Sequence, residues 1–293
     1  MRALAAGLLL LAGCAAAPPA PAPQGRYLVG EPYALGGRWS YPREDTTLVE
    51  TGLASVLPDG PAGRATANGE RFDPAALMAA HRTLQLPAVV RVTNLENGRS
   101  LAVRVNDRGP TEAGRVIGLS RRAATLLGVA VDRPARVRVA VDGALSRAVA
   151  GALPRPQDGP RVETAPVGTV DRESLAPPEG ARQAMRVREG RGPVVPVAAE
   201  ESTSLPDVEL PGAVTQGAPE AGALYVEGSR FTSQELAGRQ AARMGGARVQ
   251  PVGTGRRTEW LVRLGPLNSA AEADRALEAA LRAGVSEARV VVD

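Results

Sequence analysis

The 293-residue sequence contains no lysine; all 35 of its Lys+Arg positions are arginine. A GC-rich genome accounts for that bias without any special guanidinium chemistry. Aromatic residues are scarce too, at 3 %, and none falls between Phe72 and Tyr225. A core in that span has to be built from Val, Leu, Ile and Ala. One cysteine, Cys14, excludes an intrachain disulfide. With one histidine besides, His81, the chain is too poor in ligands to suggest a zinc site, and no other metal or cofactor is expected. No basic run is interleaved with aromatics, so nucleic acid is not an expected partner. The formal net charge of +4 is mild; it suits a polyanionic surface such as a bacterial envelope without selecting a partner. The N-terminal apolar run, from Ala3 to Gly13, is too short to cross a bilayer as a helix.

That run follows a basic start at Arg2, as in the h-region of an export signal. "AAAPPAPAPQG" after it reads as an extended tether. From 51 to 142 the pattern is β-rich. "AVVRVTNL" and "SLAVRVN" alternate with period two, and Asn97-Gly98 between them is a hairpin signal. "FDPAALMAAH" is read as a helical turn capped by Asp73, and "LSRRAATLLGV" as a helix from Ser120 to a Gly128 stop. "ARVRVAVDG" is a further strand. From 143 to 220 Pro, Gly, Glu, Ala and Ser dominate, so a long disordered linker is expected. Order returns over 221–293 as βαββαβ, with capping boxes Thr232–Glu235 and Ser269–Glu272 and a Gly284 stop. Helices on one sheet face leave the other free to bind.

Several motifs carry a resemblance. "TANGERFD", "AAHRTLQLP", "VRVTNLENGRSLAVRVNDRGP" and "RVIGLSRRAATLLG" resemble, in order and spacing, the rare lipoprotein A family of septal-ring lytic transglycosylases. The resemblance covers about Gly52 to Val129. "LYVEGSRF" and "WLVRLGPL" resemble the SPOR family, which binds glycan strands stripped of stem peptides. "LAGC" resembles a lipobox. The implied organisation is a signal peptide over 1–13 and a tether and lead-in over 14–50, lipidated at Cys14. A double-psi β-barrel over 51–142, a linker over 143–220 and a SPOR domain over 221–293 follow. The implied fold class is mainly β plus α+β. The implied place is the outer membrane facing the periplasm, enriched at the septum, with denuded peptidoglycan strands and divisome proteins as partners.

The implied reaction cleaves the bond between N-acetylmuramic acid and N-acetylglucosamine without water. The muramic 6-hydroxyl attacks its own C1 and leaves a 1,6-anhydro ring. One carboxyl group serves twice, protonating the leaving oxygen and then accepting the hydroxyl proton. Asp107, in "VNDRGP", is the implied acid; read without the resemblance, it is equally an Asx-turn residue ending a strand. The resemblance adds His81 and Glu70 as catalytic residues of the cleft beside Asp107. Read alone, each has a plainer role, as a satisfied structural imidazole and a solvated loop carboxylate. Asn106, Arg108, Asn68 and Thr66 are candidate substrate contacts; Asn106 equally suits a turn cap, and Arg108 leans towards structure. On the SPOR-like sheet the candidates are Tyr225, Glu227, Ser229, Trp260 and Arg263, with core packing the alternative for the two aromatics.

Four positions depart from the resemblance. Val56 and Leu57 stand where an aromatic pair is common, Gly118 where an Asp is usual, and Thr111 where a Phe follows "RGP". They keep a second function open: a glycan-gripping, expansin-like lipoprotein that does not cut.

Overall fold

The computed structural model describes residues 25–60, 63–154, 210, 212–253 and 258–293. The export signal, Cys14 and the middle of the expected linker lie outside the described residues. In chain order the elements are β1 (Tyr33–Leu35), β2 (Arg38–Ser40), β3 (Val49–Val56), β4 (Met78–His81), β5 (Ala88–Asn94), β6 (Arg99–Asp107), β7 (Arg115–Leu119), α1 (Arg121–Leu127), β8 (Ala135–Val141) and α2 (Gly143–Gly151). They continue with β9 (Thr215–Gln216), β10 (Leu224–Phe231), α3 (Gln234–Arg243), β11 (Arg248–Val252), β12 (Glu259–Leu267), α4 (Ala270–Arg282) and β13 (Arg289–Val292).

Six strands close into a barrel in the order β4-β7-β3-β8-β5-β6, with β6 pairing back to β4. The pairs β3–β7 and β4–β6 are parallel and the others antiparallel, which gives the double-psi arrangement. The alternation read from the sequence sets which side chains go inward. Val90, Val92, Val103, Val105, Val137 and Val139 are fully buried in one core with Leu101, Ile117 and Leu119. Closure leaves the barrel no free edge. β5 and β6 are joined by residues 95–98, where only Gly98 takes positive φ. Ser120 and Gly128 cap α1 as expected: the Ser120 side chain accepts from Ala123 N, and Gly128 is left-handed at φ 70°.

Two local expectations fail. Residues 78–81 form β4 rather than the end of a helical turn. Asp73 does cap a turn, accepting from Ala75 N at 2.8 Å, but pairing with β6 and β7 then draws the chain into the barrel. Residues 143–151, read as the start of the linker, form α2. Asp142 caps it through Leu145 N, and Ser146 exchanges hydrogen bonds with the Val89 backbone. Val149 packs on Val89 and Ala102. Nine residues with one apolar face sufficed, too short a signal to stand out from composition. β9, inside the expected linker, pairs with Arg99 and Ser100 of β6.

The C-terminal domain is an antiparallel sheet, β11-β12-β10-β13, with α3 and α4 on one face, the βαββαβ order expected. The N-cap of α3 is Ser233 without a side-chain cap bond, so the Thr232–Glu235 box is not made. At α4, Ser269 accepts from Glu272 N at 3.2 Å, while Glu272 accepts from Asn268 N at 2.9 Å. The edge strand β13 and α4 dock on the outside of β3. Leu53 is 0 % exposed against Leu277 and Val290. Thr51 Oγ1 donates to Val292 O and accepts from Val292 N, and Arg115 makes a bidentate pair with Asp274 at 2.6 and 2.8 Å.

Candidate active site

The barrel rim at the end of β6 gathers most of the chemistry. Glu70, on the loop between β3 and β4, is bound by Arg104 through Nη2 at 2.6 Å and Nε at 3.1 and 3.2 Å. Asn68 and Asn106 each donate to it at 2.8 Å. Burial alone would raise the Glu70 pKa; the hydrogen bonds and charge of Arg104, with the two amides, outweigh it and hold the carboxyl below its usual range. Glu70 is therefore a structural anion that shapes the loop. Thr66 supports it, donating to Asn68 Oδ1 at 2.8 Å.

Asp107 ends β6, the strand that also carries Arg104 and Asn106. A register shift in the β4–β6 pairing skips Asn106, so that Ala79 faces Val105 but Ala80 faces Asp107. Such a bulge re-aims the side chain that follows it. Asp107 Oδ1 accepts from Ala67 N at 3.0 Å and Arg108 N at 2.8 Å. Among the described residues Oδ2 accepts from Arg64 alone, at 2.8 Å. Arg64 is partly exposed, and its guanidinium lies 4.5 Å from the Phe72 ring centroid. The next residues turn sharply at Gly109, whose φ of +143° suits glycine.

His81 is also at this end but engages a different partner. Its Nδ1 accepts from Thr83 N and Leu84 N at 3.2 and 3.1 Å, so the proton sits on Nε2 and is donated to Glu50 at 2.7 Å. Among the described residues its ring bonds to Glu50, Thr83 and Leu84, not to Asp107 or Glu70. Arg108 is a brace: it donates to the backbone oxygens of Leu84, Val29 and His81. Its guanidinium lies 5.9 Å from the Tyr33 ring, and burial lowers its pKa. The structure therefore joins Asp107, Glu70, Asn68, Asn106 and Thr66 in one network, with Arg108 attached. Sequence reading missed Arg64, Arg104 and Glu50. Arg64 lies two residues before Thr66 of the loop motif, a signal that was present and unread.

The departures at 57 and 118 are one spatial feature. Ser55, Gly118, Ala80 and Asp107 form a row across four adjacent strands. A Cβ on Gly118 would lie 2.5 Å from Leu57 Cδ2 and 3.6 Å from Pro110 Cβ. Leu57 occupies the space that an Asp at 118 would claim.

In the C-terminal sheet, Tyr225, Glu227 and Arg263 share the helix-free face. Arg263 stacks on Tyr225 at 4.7 Å and pairs with Glu227 at 2.5 Å and Asp293 at 2.6 Å; Arg289 pairs with Glu227 at 3.0 Å. The other two candidates lie elsewhere. Trp260 packs on the helix-side core, and Ser229 is bonded by Gln240 of α3 through both its N–H and its hydroxyl. The face expected to be free borders a cleft of about 440 Å³ whose opposite wall is the barrel, including Glu50, Thr51 and Arg138. Among the described residues no group of three or more His, Cys, Asp and Glu is placed to hold a metal ion.

Residues 49–139 match the family model described as lytic transglycolase. Over 262 residues, 87 % of this chain and 74 % of the relative, the sequence is 36 % identical to the endolytic peptidoglycan transglycosylase RlpA of Pseudomonas aeruginosa. It is 45 % identical over 122 residues to the protein of that name from Yersinia pestis, covering 40 % of this chain and 34 % of that one. A crystal structure of the RlpA SPOR domain from Pseudomonas aeruginosa is matched at 24 % identity, over 24 % of this chain and 99 % of that one, with a TM-score of 0.23.

Proposed function

The chain belongs to the RlpA family of endolytic peptidoglycan transglycosylases, and from that membership we propose that it cleaves denuded glycan strands to 1,6-anhydro ends during septation, with Asp107 as acid and then base. The observation that carries the assignment is how Asp107 is held. Two backbone N–H groups fix Oδ1, while Oδ2 meets one partly exposed side chain from a loop. An incoming saccharide displaces Arg64 from Oδ2, the atom that then carries the proton. Oδ2–H protonates the glycosidic oxygen as the bond to C1 breaks. The same oxygen afterwards takes the proton from the muramic 6-hydroxyl as O6 closes on C1. Each proton given is recovered, and no water is consumed. Glu70 holds the loop that supplies Ala67 N, and His81 braces β4 against β3 through Glu50.

Lipidation at Cys14, anchorage in the outer membrane, binding of stripped strands by the C-terminal sheet and contact with divisome proteins complete the proposal. The anchor rests on the "LAGC" sequence, and strand binding on the grouping of Tyr225 and Arg263 on the helix-free face.

The test is incubation of the purified chain with amidase-treated peptidoglycan, with mass spectrometry for 1,6-anhydro products. Asp107→Asn should lower the rate by about 10²- to 10⁴-fold. Equal product from the variant would overturn the site. Glycan pull-down with no product from the parent chain would replace cleavage by gripping.

A further inference from the structure

The lead-in hairpin β1–β2 carries a surface that neither the core nor the cleavage site uses. Trp39 and Tyr41 are 66 % and 64 % exposed, while Ser40 between them is 4 % exposed. Trp39 lies in β2 and Tyr41 is the first residue past its end; with Ser40 buried between them both rings are in solvent, their Cα atoms about 7 Å apart at extended spacing. Arg43, two residues beyond Tyr41 and outside the strand, is exposed as well, its side chain 67 % exposed with Asp45 at 3.5 Å. In a chain with 3 % aromatics, two large rings side by side in solvent are a marked investment.

The hairpin is held firmly to the rim that carries Asp107. Tyr33 is the cross-strand partner of Ser40, and its hydroxyl donates to Arg82 O at 2.8 Å. Arg82 in turn donates to Leu35 O, Ser40 Oγ and Thr111 O at 3.2, 3.3 and 3.0 Å. Arg43 N donates to Thr83 O at 2.8 Å. The Tyr33 ring faces the guanidinium of Arg108, the residue after Asp107. A ligand on this face therefore has a fixed position relative to the acid. The cleft wall itself offers Val56 and Leu57, which present no ring to a sugar.

We propose that Trp39, Tyr41 and Arg43 form a glycan subsite outside the cleft. The two rings stack against the apolar C–H faces of pyranoses, and Arg43 pairs with the lactyl carboxylate that a muramyl residue exposes once its stem peptide is gone. The proposal deepens the transglycosylase reading and rests on it for its ligand. It makes the lead-in a reader of stripped strands, separate from the C-terminal sheet.

The experiment uses the full chain in mild detergent with Trp260→Phe, so that Trp39 is the only indole. Stripped glycan strands should shift and quench its emission saturably, and Trp39→Phe should remove the signal. Trp39→Ala with Tyr41→Ala should raise KM for long strands at least tenfold, with Tm unchanged because neither ring is in the core. Arg43→Ala should erase a preference for stripped glycan over chitin oligomers, which lack the carboxylate. An emission unchanged at saturating glycan, or an unchanged KM in the double variant, overturns the subsite while leaving cleavage standing. A saturable Trp39 response with no 1,6-anhydro product from the parent chain supports the subsite and removes the transglycosylase reading.

Discussion

Asp107 at the barrel rim and Glu227 in the C-terminal sheet are both buried carboxylates on strands, 8 % and 5 % exposed, and both face arginine. Their surroundings differ in kind. Glu227 is gripped on both oxygens by arginines of the two flanking strands, Arg263 of β12 and Arg289 of β13. The sheet register itself sets both arginines directly opposite Glu227. Asp107 has one oxygen fixed by backbone and the other met by a single loop arginine. One carboxylate is clamped; the other is held by one side and offered by the other. Burial and an arginine partner do not distinguish a structural carboxylate from a chemical one. The distinction lies in which element supplies the partner.

The comparison breaks most visibly at Glu227. Glu227→Ala leaves Arg263 with Asp293 as its one carboxylate and the more exposed Arg289 to solvent, and removing one partner of a buried pair costs about 3–5 kcal/mol. Partial exposure of Arg289 places the expected loss near the lower end, about 3 kcal/mol, read by urea unfolding of the full chain. Asp107→Asn keeps an acceptor for the backbone N–H groups, and its expected loss is about 1 kcal/mol. Equal losses would erase the contrast between clamp and site.

Leu57 and Gly118 sharpen the barrel side. Gly118→Asp forces a side chain into the space of Leu57 Cδ2 and should destabilise by about 2 kcal/mol. Leu57→Ala makes that room, so the double variant should recover more than half of the loss, a coupling that a double-mutant cycle reads directly. Additive losses would show that the two departures are unrelated.

The legible parts of the fold were those written in local periodicity. The strands around Val90 and Val103, the Ser120–Gly128 helix and the βαββαβ order all follow from spacing of two or of three to four residues. What was not legible depends on partners distant in sequence. Nothing near Met78 says strand; Val105 and Leu119 do. Nothing near His81 names Glu50, 31 residues upstream. Trp260 is a candidate for the binding face because aromatics stack on sugar rings, with core packing the alternative, and Ser229 is one as a polar contact. Strand register turns Trp260 to the helix side, and Gln240 takes up Ser229. The motif residues Glu70, Asn106 and Asp107 were found, but their division of labour follows from the arginines, which the motifs did not name.

A smaller effect than at Glu227 or Gly118 lies within the rim and separates Glu70 from Asp107. Because the Glu70 carboxyl is held below its usual value of 4.5, the folded chain binds that proton less readily than the unfolded chain. The stabilisation is therefore fully present above pH 4.5 and is lost as pH falls through the lower folded value. Glu70→Gln should cost about 1–2 kcal/mol at pH 7, the worth of charge-assisted hydrogen bonds from Arg104. The gap to the parent chain should close as the pH drops below 4.5, read from urea midpoints. A gap that persisted unchanged at acid pH would mean that packing, not charge, makes Glu70 matter. The loop that Glu70 fixes also carries Ala67, whose N–H holds Asp107 Oδ1. Releasing Glu70 thus loosens one of the two backbone bonds that aim the acid, and turnover should fall over the same pH range as stability.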